Sequence, residues 1–516
     1  MYNKKYPKMK NLKLVLSILI IIHGFNTFAQ TPSIEWQNNY GGSGDDYFLS
    51  SKVTSDGGFV LIGSRDPSNI NSQDISALFV VKLDHNGSFE WEKCYGGSGM
   101  EIGYSILETF DGGYLLAGST NSNDGDVVGA KGNFDAWILK IDSIGNIQWS
   151  KCYGGSMIDL AYSIIQTADG CFVFTGETAS TDGDVTSLHP YSECWIVKID
   201  FIGNIIWSKC YGGNLYENFN SIKQTNDGGF IAVGRTISTD GDVIGTIGNY
   251  DDAWIVKLDS VGIIEWQKCF GGTHYDCAND INLTSDGGYI ICGDTRSTDG
   301  DIDTSYGGNF DAWIIKLSNN GNLEWKKILG SGSDDFLNAI QQTTDGGFIA
   351  VGYSHYQPIH YLYDDVWVVK LSQSGTLQWY KCFGGNDDDW GHSIHQTADG
   401  GFFIAGRSKS SDCDLTNNFG ANDGWALKLT PDYSPVDLYS DISEIQIYPN
   451  PAQDNLTVKV DPALLNQPFQ IFSITGQLVL SGKLTSENSE IHLNSISEGV
   501  YLLQIGNQSK KIVKIK

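Results

Sequence analysis

The sequence is short of proline, of basic residues and of helix-like apolar periodicity. Its 516 residues include 11 prolines and 33 lysines or arginines, against 61 acidic residues. No long segment repeats its apolar residues every 3.6 positions, which excludes a helical domain. Glycine, by contrast, occurs 61 times. Valine, isoleucine and aromatic residues dominate the apolar runs, so the sequence predicts an all-β chain with many tight turns.

The shortage of basic residues limits the possible partners. The formal net charge is −28, and the five lysines of the first 29 residues are not offset by any acidic residue there. Such an acidic chain repels phosphate, so we expect no nucleic-acid partner. Cations, basic proteins and neutral glycans remain open. After residue 29 no apolar run is long enough to cross a bilayer as a helix, so we expect no transmembrane segment in the mature chain.

Sequence motifs of catalysis are also missing. The chain has no His-Glu-x-x-His, no Gly-x-Ser-x-Gly and no Cys-His zinc spacing. His392 and His395 are three positions apart on one predicted strand, so we expect them to point to opposite faces. We therefore expect a protein that is not an enzyme and requires no cofactor. Carboxylates are plentiful, which leaves a glycosidase-like pair as an alternative.

A unit of 54–59 residues occurs seven times between residues 30 and 430. Its first anchor is an Asp-Gly turn with aspartates Asp56, Asp111, Asp169, Asp227, Asp286, Asp345 and Asp399. The second anchor is Trp-apolar-apolar-Lys, at Trp137, Trp195, Trp254, Trp313, Trp367 and Trp425, with Phe79 in the first copy. The third is Trp-x-Lys before a Tyr/Phe-Gly-Gly, with small departures in the copies at Trp36 and Trp325. Its tryptophans are Trp36, Trp91, Trp149, Trp207, Trp266, Trp325 and Trp379.

Each repeat contains four short apolar segments, here called strands a, b, c and d. In the fourth copy they are residues 220–225, 229–234, 253–259 and 263–269. Short turns join a to b and c to d, which predicts two hairpins. Four antiparallel strands per repeat are typical of one β-propeller blade.

The two ends of the repeat region indicate how the array closes. It begins with a lone d strand at Trp36 and ends with strands a, b and c of the last copy. We therefore predict a seven-bladed β-propeller in which the N-terminal d strand completes the last blade. Trp36 and residues 424–429 then become neighbours in one sheet.

The repeats are flanked by segments of different character. Residues 1–29 combine lysines with the apolar run 14–22, which predicts a secretory signal peptide. The predicted propeller spans 30–430, and residues 431–443 are a predicted linker. Residues 444–516 contain alternating strands that suggest a separate small β-sandwich.

The C-terminal residues carry Tyr-Pro-Asn-Pro at 448–451, Phe-Ser-Ile-Thr-Gly-Gln at 472–477 and a Gly-Val-Tyr ending at 501. In this order they resemble the type A C-terminal sorting domain of the type IX secretion system of Gram-negative bacteria. The motif residues are Tyr448, Pro449, Asn450, Pro451, Gly499 and Tyr501. The resemblance implies export by the outer-membrane secretion machinery and cleavage by its sorting peptidase. It also implies an extracellular or outer-membrane surface location.

An acidic residue follows the Gly-Gly pair by four positions in every copy. These residues are Asp46, Glu101, Asp159, Glu217, Asp276, Asp335 and Asp389. By symmetry they are predicted to form a ring around the mouth of the central channel. One interpretation is a site for a cation or a basic ligand. The alternative, which we favour, is that each carboxylate accepts backbone N–H bonds within its own loop or a neighbouring blade.

The loops between strands b and c carry Asp-x-Asp patterns. Candidate calcium ligands are Asp182, Asp184, Asp240, Asp242, Asp299, Asp301 and Asp303. The alternative is that these carboxylates close turns in solvated loops. Calcium is therefore the one cofactor that the sequence leaves open.

Lysines and cysteines also recur at fixed positions. The lysine of each c strand is expected to serve ion pairing and packing. The c-strand lysines are Lys82, Lys140, Lys198, Lys257, Lys316, Lys370 and Lys428. Five of the ten cysteines occupy the same position in different blades, where they are too far apart to form disulfides.

Taken together, the repeats predict a monomeric binding module for a glycan or a protein. Its ligand is expected on the face formed by the d–a and b–c loops. The sixth b–c loop is rich in aromatic residues, and Trp390 is the one tryptophan outside the repeat anchors. Trp390, Tyr356, Tyr361 and Tyr363 are therefore candidates for stacking on sugars. The rival interpretation is a polysaccharide hydrolase or lyase that uses carboxylates on this face, and a purely structural surface protein is a third.

Overall fold

The computed structural model describes residues 31–66, 76–186, 189, 191–355, 363–415, 417–432, 446–460, 468–473, 478–486, 488–505 and 508–516. These residues form two compact units, residues 31–432 and the described part of 433–516. The regular elements of both units are β-strands. Within these ranges, no helix has the length and apolar character needed to cross a membrane. The predicted signal peptide and nearly all of the predicted linker lie outside the described residues.

The first unit contains seven four-stranded antiparallel sheets, with strands in the order a-b-c-d. The a strands are β2 (Asp46–Val53), β6 (Glu101–Glu108), β10 (Asp159–Gln166), β14 (Glu217–Gln224), β18 (Asp276–Leu283), β22 (Asp335–Gln342) and β26 (Asp389–Gln396). The b strands are β3 (Phe59–Arg65), β7 (Tyr114–Thr120), β11 (Phe172–Thr178), β15 (Phe230–Thr236), β19 (Tyr289–Thr295), β23 (Phe348–Ser354) and β27 (Phe402–Ser408).

The outer half of each sheet is formed by its c and d strands. The c strands are β4 (Ala77–Leu83), β8 (Asp135–Ile141), β12 (Glu193–Ile199), β16 (Asp252–Leu258), β20 (Asp311–Leu317), β24 (Asp365–Leu371) and β28 (Asp423–Leu429). The d strands are β1 (Ile34–Tyr40), β5 (Phe89–Tyr95), β9 (Ile147–Tyr153), β13 (Ile205–Tyr211), β17 (Ile264–Phe270), β21 (Leu323–Leu329) and β25 (Leu377–Phe383).

The seventh sheet is completed by the N-terminal strand, as the repeat count predicts. Its order is β26-β27-β28-β1, and Trp36 is paired with Lys428 in the register of β1 and β28. Each sheet packs against the next in chain order, and β2 of the first sheet contacts β26, β27 and β28 of the seventh. The arrangement is therefore propeller-like, with the a strands on the inside.

The anchor residues of the repeat form the framework between sheets. The c-strand tryptophans Trp137, Trp195, Trp254, Trp313 and Trp425 are almost fully buried. In the first sheet Phe79 takes this place and stacks on Phe48 of β2, with ring centres 5.6 Å apart. Burial of such large rings is the main favourable term that holds neighbouring sheets together.

The prediction that the c-strand lysines serve ion pairing is confirmed. Each of the seven ammonium groups contacts the aspartate of the a–b turn in its own sheet. In the fourth sheet Lys257 Nζ lies 2.9 Å from Asp227 and 2.8 Å from Glu265. That aspartate also accepts the N–H of Gly229, so one carboxylate closes the turn and neutralises the buried lysine. The five cysteines at the shared blade position, Cys94, Cys152, Cys210, Cys269 and Cys382, form no disulfide, as their spacing predicts.

A glycine in each b strand permits the sheet to close tightly at its a strand. In the fourth sheet a β-carbon added at Gly234 would overlap with the backbone carbonyl of Asn218. The register of β14 and β15 shifts at this point, between Phe219 and Ser221. The backbone itself occupies the space that a side chain would need.

We therefore expect Gly234→Ala to lower the free energy of unfolding by about 2–4 kcal/mol, because the strands must separate to admit the methyl group. Gly332→Ala is the matched control, since nothing lies within 4 Å of a β-carbon at that loop position. Urea denaturation of both variants checks the expectation, and equal midpoints would contradict it.

The second unit consists of two small sheets. One has the order β29 (Gln446–Tyr448), β30 (Asn455–Lys459), β33 (Asn488–His492). The other has the order β32 (Leu478–Lys483), β31 (Pro468–Ser473), β34 (Gly499–Ile505), β35 (Gln508–Lys514). Side chains from both sheets, such as Leu456, Ile491 and Leu503, share one core. This is the packing of a β-sandwich, in agreement with the alternation in the sequence.

Candidate functional site

The a strands of all seven sheets line a central channel of about 730 Å³. The channel-facing residues come from the same few positions of each a strand, but their chemistry differs from copy to copy. At the fourth position, for example, the residues are Leu49, Tyr104, Tyr162, Asn220, Asn279, Asn338 and His392. This variation contrasts with the repeated anchors, which the framework requires. Functional differences are therefore expected inside the channel.

The acidic residues at the start of the a strands are not exposed at the channel mouth. All seven carboxylates are buried, with at most 2% of the side-chain surface accessible. The expectation of an open acidic ring is therefore wrong for these residues. The alternative interpretation, that each carboxylate accepts hydrogen bonds within its loop, describes what is found.

The fifth sheet shows how such a carboxylate is used. Asp276 accepts the backbone N–H of Gly272 at 2.8 Å and the hydroxyl of Ser297 at 2.8 Å. It also accepts the hydroxyl of Thr295. The carboxylate thus joins the d–a loop to the end of the b strand. In every other sheet the carboxylate at this position also accepts a backbone N–H of the d–a loop, so the acidic position shapes the loop-bearing face.

A second set of buried carboxylates begins the c strands and was not recognised from the sequence. Asp135, Asp252, Asp311 and Asp423 each have one carboxylate oxygen without a hydrogen-bond partner among the described residues. Asp252 lies beside Asp276 of the next sheet, with Gly271 between them. Burial, together with the neighbouring Asp276, raises the pKa of Asp252 to about 7. A proton held on Asp252 would supply the missing hydrogen bond.

The Asp-x-Asp loops use their carboxylates to fix the loop backbone. Asp182 accepts the N–H of Ser156 at 2.7 Å, and Asp240 accepts the N–H of Asn214 at 2.9 Å. Asp299 accepts the N–H of Thr273, and Asp303 pairs with Lys326. Asp184, Asp242 and Asp301 accept the N–H of a glycine in the d–a loop of the same sheet. In the described part of the chain no three acidic, histidine or cysteine side chains are grouped to hold a metal ion. Calcium binding therefore stays a prediction.

A cavity of about 520 Å³ lies at the end of the channel where the d–a and b–c loops meet, and we call it the Arg235 cavity. Its walls come from sheets three to six. They include the polar residues Glu177, Asn218, Asn279, Asp251, Asp294 and Arg235. Tyr162, Tyr275, Phe310 and Phe336 provide aromatic surface. A mixed polar and aromatic wall of this kind is typical of small-molecule sites.

Arg235 is the one basic residue in the described walls of this cavity. Its side chain is exposed, and Nε donates to Asn218 Oδ1 at 2.8 Å. The terminal guanidinium nitrogens have no protein acceptor among the described residues. An exposed, oriented fork of donors can bind a pair of ligand oxygen atoms.

Two carboxylates flank this arginine in different environments. Glu177 accepts the Tyr162 hydroxyl at 3.0 Å and the Ser192 hydroxyl at 3.2 Å. Asp294 accepts an N–H of Asn279 at 2.8 Å. Burial raises the pKa of Asp294 to about 6, against the opposing effects of the Asn279 hydrogen bond and the Arg235 charge. The cavity therefore combines a fixed acceptor with a carboxyl group that titrates near neutrality.

These residues occupy one position of the repeat, the sixth of each b strand. The seven residues at this position are Ser64, Ser119, Glu177, Arg235, Asp294, Tyr353 and Arg407. The signal for this set was present in the sequence, because an inner-strand position that changes in charge from copy to copy is not needed by the framework. The acidic residues that are fixed in every copy have structural roles instead, because they are buried and accept hydrogen bonds in their own loops.

Trp390 does not offer a free face to a sugar. Its ring stacks on Tyr353 with centres 4.3 Å apart and an interplanar angle of 9°. The guanidinium of Arg407 lies 3.6 Å from the ring centre, which requires the opposite face. Its Nε1 donates to Asp364 at 3.2 Å. The expectation of sugar stacking on Trp390 is therefore wrong, because both faces are already covered. Tyr356 and Tyr361 lie outside the described residues, and Tyr363 is 37% exposed.

The prediction for His392 and His395 is also wrong, since both line the channel. The register of β26 and β27 shifts between Gly391 and Ser393, which is a β-bulge. A bulge adds one residue and interrupts the alternation of side chains on which the prediction depended. Burial lowers the pKa of both imidazoles to about 3, so they are neutral at physiological pH.

Comparison with known proteins identifies the C-terminal unit. Residues 446–515 match the family described as "Secretion system C-terminal sorting domain". This unit is a type IX secretion sorting domain. Its presence indicates secretion to the cell surface or the extracellular space and handling by the type IX machinery. Within the domain, Asn450 of the Tyr-Pro-Asn-Pro motif bonds the backbone of Lys511 and Val513, and Tyr501 donates to the Ser497 carbonyl. Tyr448 is exposed, Pro449 and Pro451 flank Asn450, and Gly499 begins β34.

Other similarities are short or distant. Over 78 residues, 15% of this chain, the protein is 33% identical to Funoran endo-beta-hydrolase of Wenyingzhuangia aestuarii, of which it spans 11%. It is similar to the Neurospora crassa Pan2 WD40 domain at 9% identity and a TM-score of 0.44, covering 77% of this chain and 96% of that domain. It is also similar to Porphyromonas gingivalis PorZ, a surface component of the type IX secretion system. That likeness has 12% identity and a TM-score of 0.40, covering 92% of this chain and 60% of PorZ.

Proposed function

We propose that the secreted protein is a binding module on a closed seven-bladed β-propeller, and that it binds a glycan in the Arg235 cavity. The observation that carries the proposal is the exposed Arg235 guanidinium between Glu177 and Asp294, with aromatic side chains on the same wall. Sugars present paired hydroxyls to such donors and acceptors and apolar ring faces to aromatic side chains. The cavity volume of about 520 Å³ suits one or two sugar rings.

The pairing of β1 with β28 supports the closed propeller. Closure matters for binding because the cavity takes its walls from four neighbouring sheets. A rigid array holds side chains from separate sheets in place and so lowers the entropic cost of ordering them on binding.

Arg235→Ala is expected to weaken glycan binding at least tenfold without lowering the melting temperature, because the guanidinium is exposed and its main role is towards the ligand. The measurement is a glycan array followed by calorimetry on the best ligand. Arg407→Ala is the matched control at the same strand position, where the guanidinium covers Trp390. The control is expected to keep its binding, and if Arg235→Ala binds every glycan as the unchanged protein does, the cavity is not the glycan site.

One observation favours a second candidate, a polysaccharide hydrolase or lyase. Asp294 has a pKa raised to about 6 by burial, and Glu177 is a second carboxylate in the same cavity. A general acid requires such a raised pKa. Under this hypothesis Asp294→Asn still binds the glycan but no longer cleaves it, which is measured as the loss of newly formed reducing ends. Binding without any turnover by the unchanged protein favours the binding module.

A further inference from the structure

The central channel contains a layer of side chains that lies three positions further along the a strands than the residues shared with the Arg235 cavity. It consists of the seventh residue of each a strand, namely Lys52, Leu107, Ile165, Lys223, Asn282, Gln341 and His395. Two of the seven are lysines, although the protein as a whole is strongly acidic. The layer is therefore the place where the channel differs most from the outer surface.

The charge of Lys223 is matched by a carboxylate. Its Nζ lies 3.5 Å from Asp280 Oδ1 and 3.1 Å from the hydroxyl of Ser221. Asp280 also accepts the Ser221 hydroxyl at 2.8 Å and the N–H of Ile340 at 3.2 Å. Among the described residues that line the channel, Asp280 is the only acidic residue in contact with a lysine. Both of its oxygen atoms already accept hydrogen bonds from neighbouring a strands.

Lys52 makes no direct contact of this kind. In the described part of the chain its ammonium has neither a hydrogen bond nor an ion pair. Burial, and then the charge of Lys223, lowers the pKa of Lys52 to about 8, against the opposing effect of the Asp280 charge. The neighbouring His395 is a neutral imidazole, and its Nε2–H donates to the Ser51 carbonyl at 2.6 Å. It is therefore not a counter-ion for Lys52. Lys52 is still charged at pH 7, and the two channel lysines share the charge of one neighbouring carboxylate, Asp280.

A partly desolvated ammonium without a direct ion pair is costly, and an anion that enters the channel would lower that cost. We propose that the channel binds an anionic oxygen group, such as a carboxylate or a sulfate, between Lys52 and Lys223. The group is either a free oxyanion or the acidic substituent of a larger ligand. The two cavities share Tyr162, Asn220 and Asn279 in their walls, so a ligand in the Arg235 cavity has a route to the lysines.

The site does not rest on the proposed glycan function, because the channel lysines and the Arg235 cavity can be tested apart. Sodium sulfate at constant ionic strength is expected to raise the melting temperature of the unchanged protein relative to sodium chloride. Lys52→Met is expected to lose this increase and to weaken sulfate binding in calorimetry at least tenfold. Lys409→Met is the matched control, since Lys409 is exposed and pairs with Asp387 on the surface.

A second experiment distinguishes a free oxyanion from the acidic group of a larger ligand. Glucuronate and sulfated oligosaccharides are titrated into the unchanged protein, Lys52→Met and Arg235→Ala. An acidic ligand that spans both cavities is weakened by both substitutions, whereas a free oxyanion is weakened by Lys52→Met alone. Equal binding of every anion by Lys52→Met and the unchanged protein overturns the site.

The pH dependence provides a readout that a merely structural lysine would not show. Binding is expected to fall as the pH passes through about 8, because Lys52 then loses its proton. The other titratable groups around it are Lys223 on β14, Asp280 on β18, His395 on β26 and Glu108 on β6. Of these, His395 has a pKa lowered to about 3 by burial, and Glu108 is tied to Ser55. A flat profile between pH 7 and 9 contradicts the proposed role of Lys52.

Discussion

A mature chain that lacks residues 31–40 is expected to lose at least about 5 kcal/mol of stability, the largest effect foreseen for this protein. The deletion removes β1 and exposes the edge of β28, whose seven residues are all buried. It also removes Trp36, which packs edge-on against Phe59 of the first sheet at 5.6 Å and contacts Phe403 of the seventh. The ion pair of Glu35 with Lys428 is lost as well.

Thermal unfolding followed by circular dichroism measures this effect. The control is a chain that lacks residues 446–516, which form a compact unit with a core of their own. We expect this control to leave the melting of residues 31–432 unchanged. Similar melting temperatures for the intact protein and the chain without residues 31–40 would refute closure by the N-terminal strand.

Asp276→Ala is expected to lower the free energy of unfolding by about 3 kcal/mol or more. The substitution leaves the Gly272 N–H and the Ser297 and Thr295 hydroxyls without their acceptor in a buried loop. Each buried donor without a partner costs about 1–3 kcal/mol. Asp303→Ala serves as the control, because this exposed carboxylate makes only a surface ion pair with Lys326. Urea denaturation at pH 7 compares the two.

Substitution of the neighbouring carboxylate, Asp252, is expected to raise the stability rather than lower it. Burial raises the pKa of Asp252 to about 7, whereas the unfolded chain has the ordinary value of about 4. The folded protein binds this proton more strongly, so its stability declines as the pH rises from about 4 through 7. Asp252→Asn keeps a donor in place of the proton and should be more stable than the unchanged protein at pH 8, by about 2 kcal/mol. An equal or lower stability at pH 8 would show that the fold does not raise the pKa of Asp252.

Much of the fold was predictable because it depends on local patterns repeated seven times. The Asp-Gly turns, the alternating strands and the unpaired d strand at Trp36 predict four-stranded sheets and the pairing of Trp36 with Lys428. The c-strand lysines were also interpreted correctly, because a charged residue fixed within a buried strand needs a fixed partner. The Tyr-Pro-Asn-Pro motif identified the sorting domain in the same way, through residues close together in the chain.

The candidate site was less predictable, and the reason differs from residue to residue. Trp390 was correctly recognised as unusual, but its neighbours Tyr353 and Arg407 come from other strands and cover both faces. The seven acids before the a strands were placed on the correct loops, but their burial depends on how two sheets meet. His392 and His395 were misplaced by a bulge, which no periodic pattern reveals.

The sequence alone therefore determined the repeat, its strands, the acidic character and the route of export, because each of these is written in neighbouring residues or in composition. The tertiary structure decided which carboxylates are buried, which faces are covered and which charges lack a partner. It brought Arg235 between Glu177 and Asp294, and it placed Lys52 of the first sheet and Lys223 of the fourth in the wall of one channel. The physical reason is that desolvation and pairing depend on side chains from different sheets, whose distances are set only when the sheets pack around the channel.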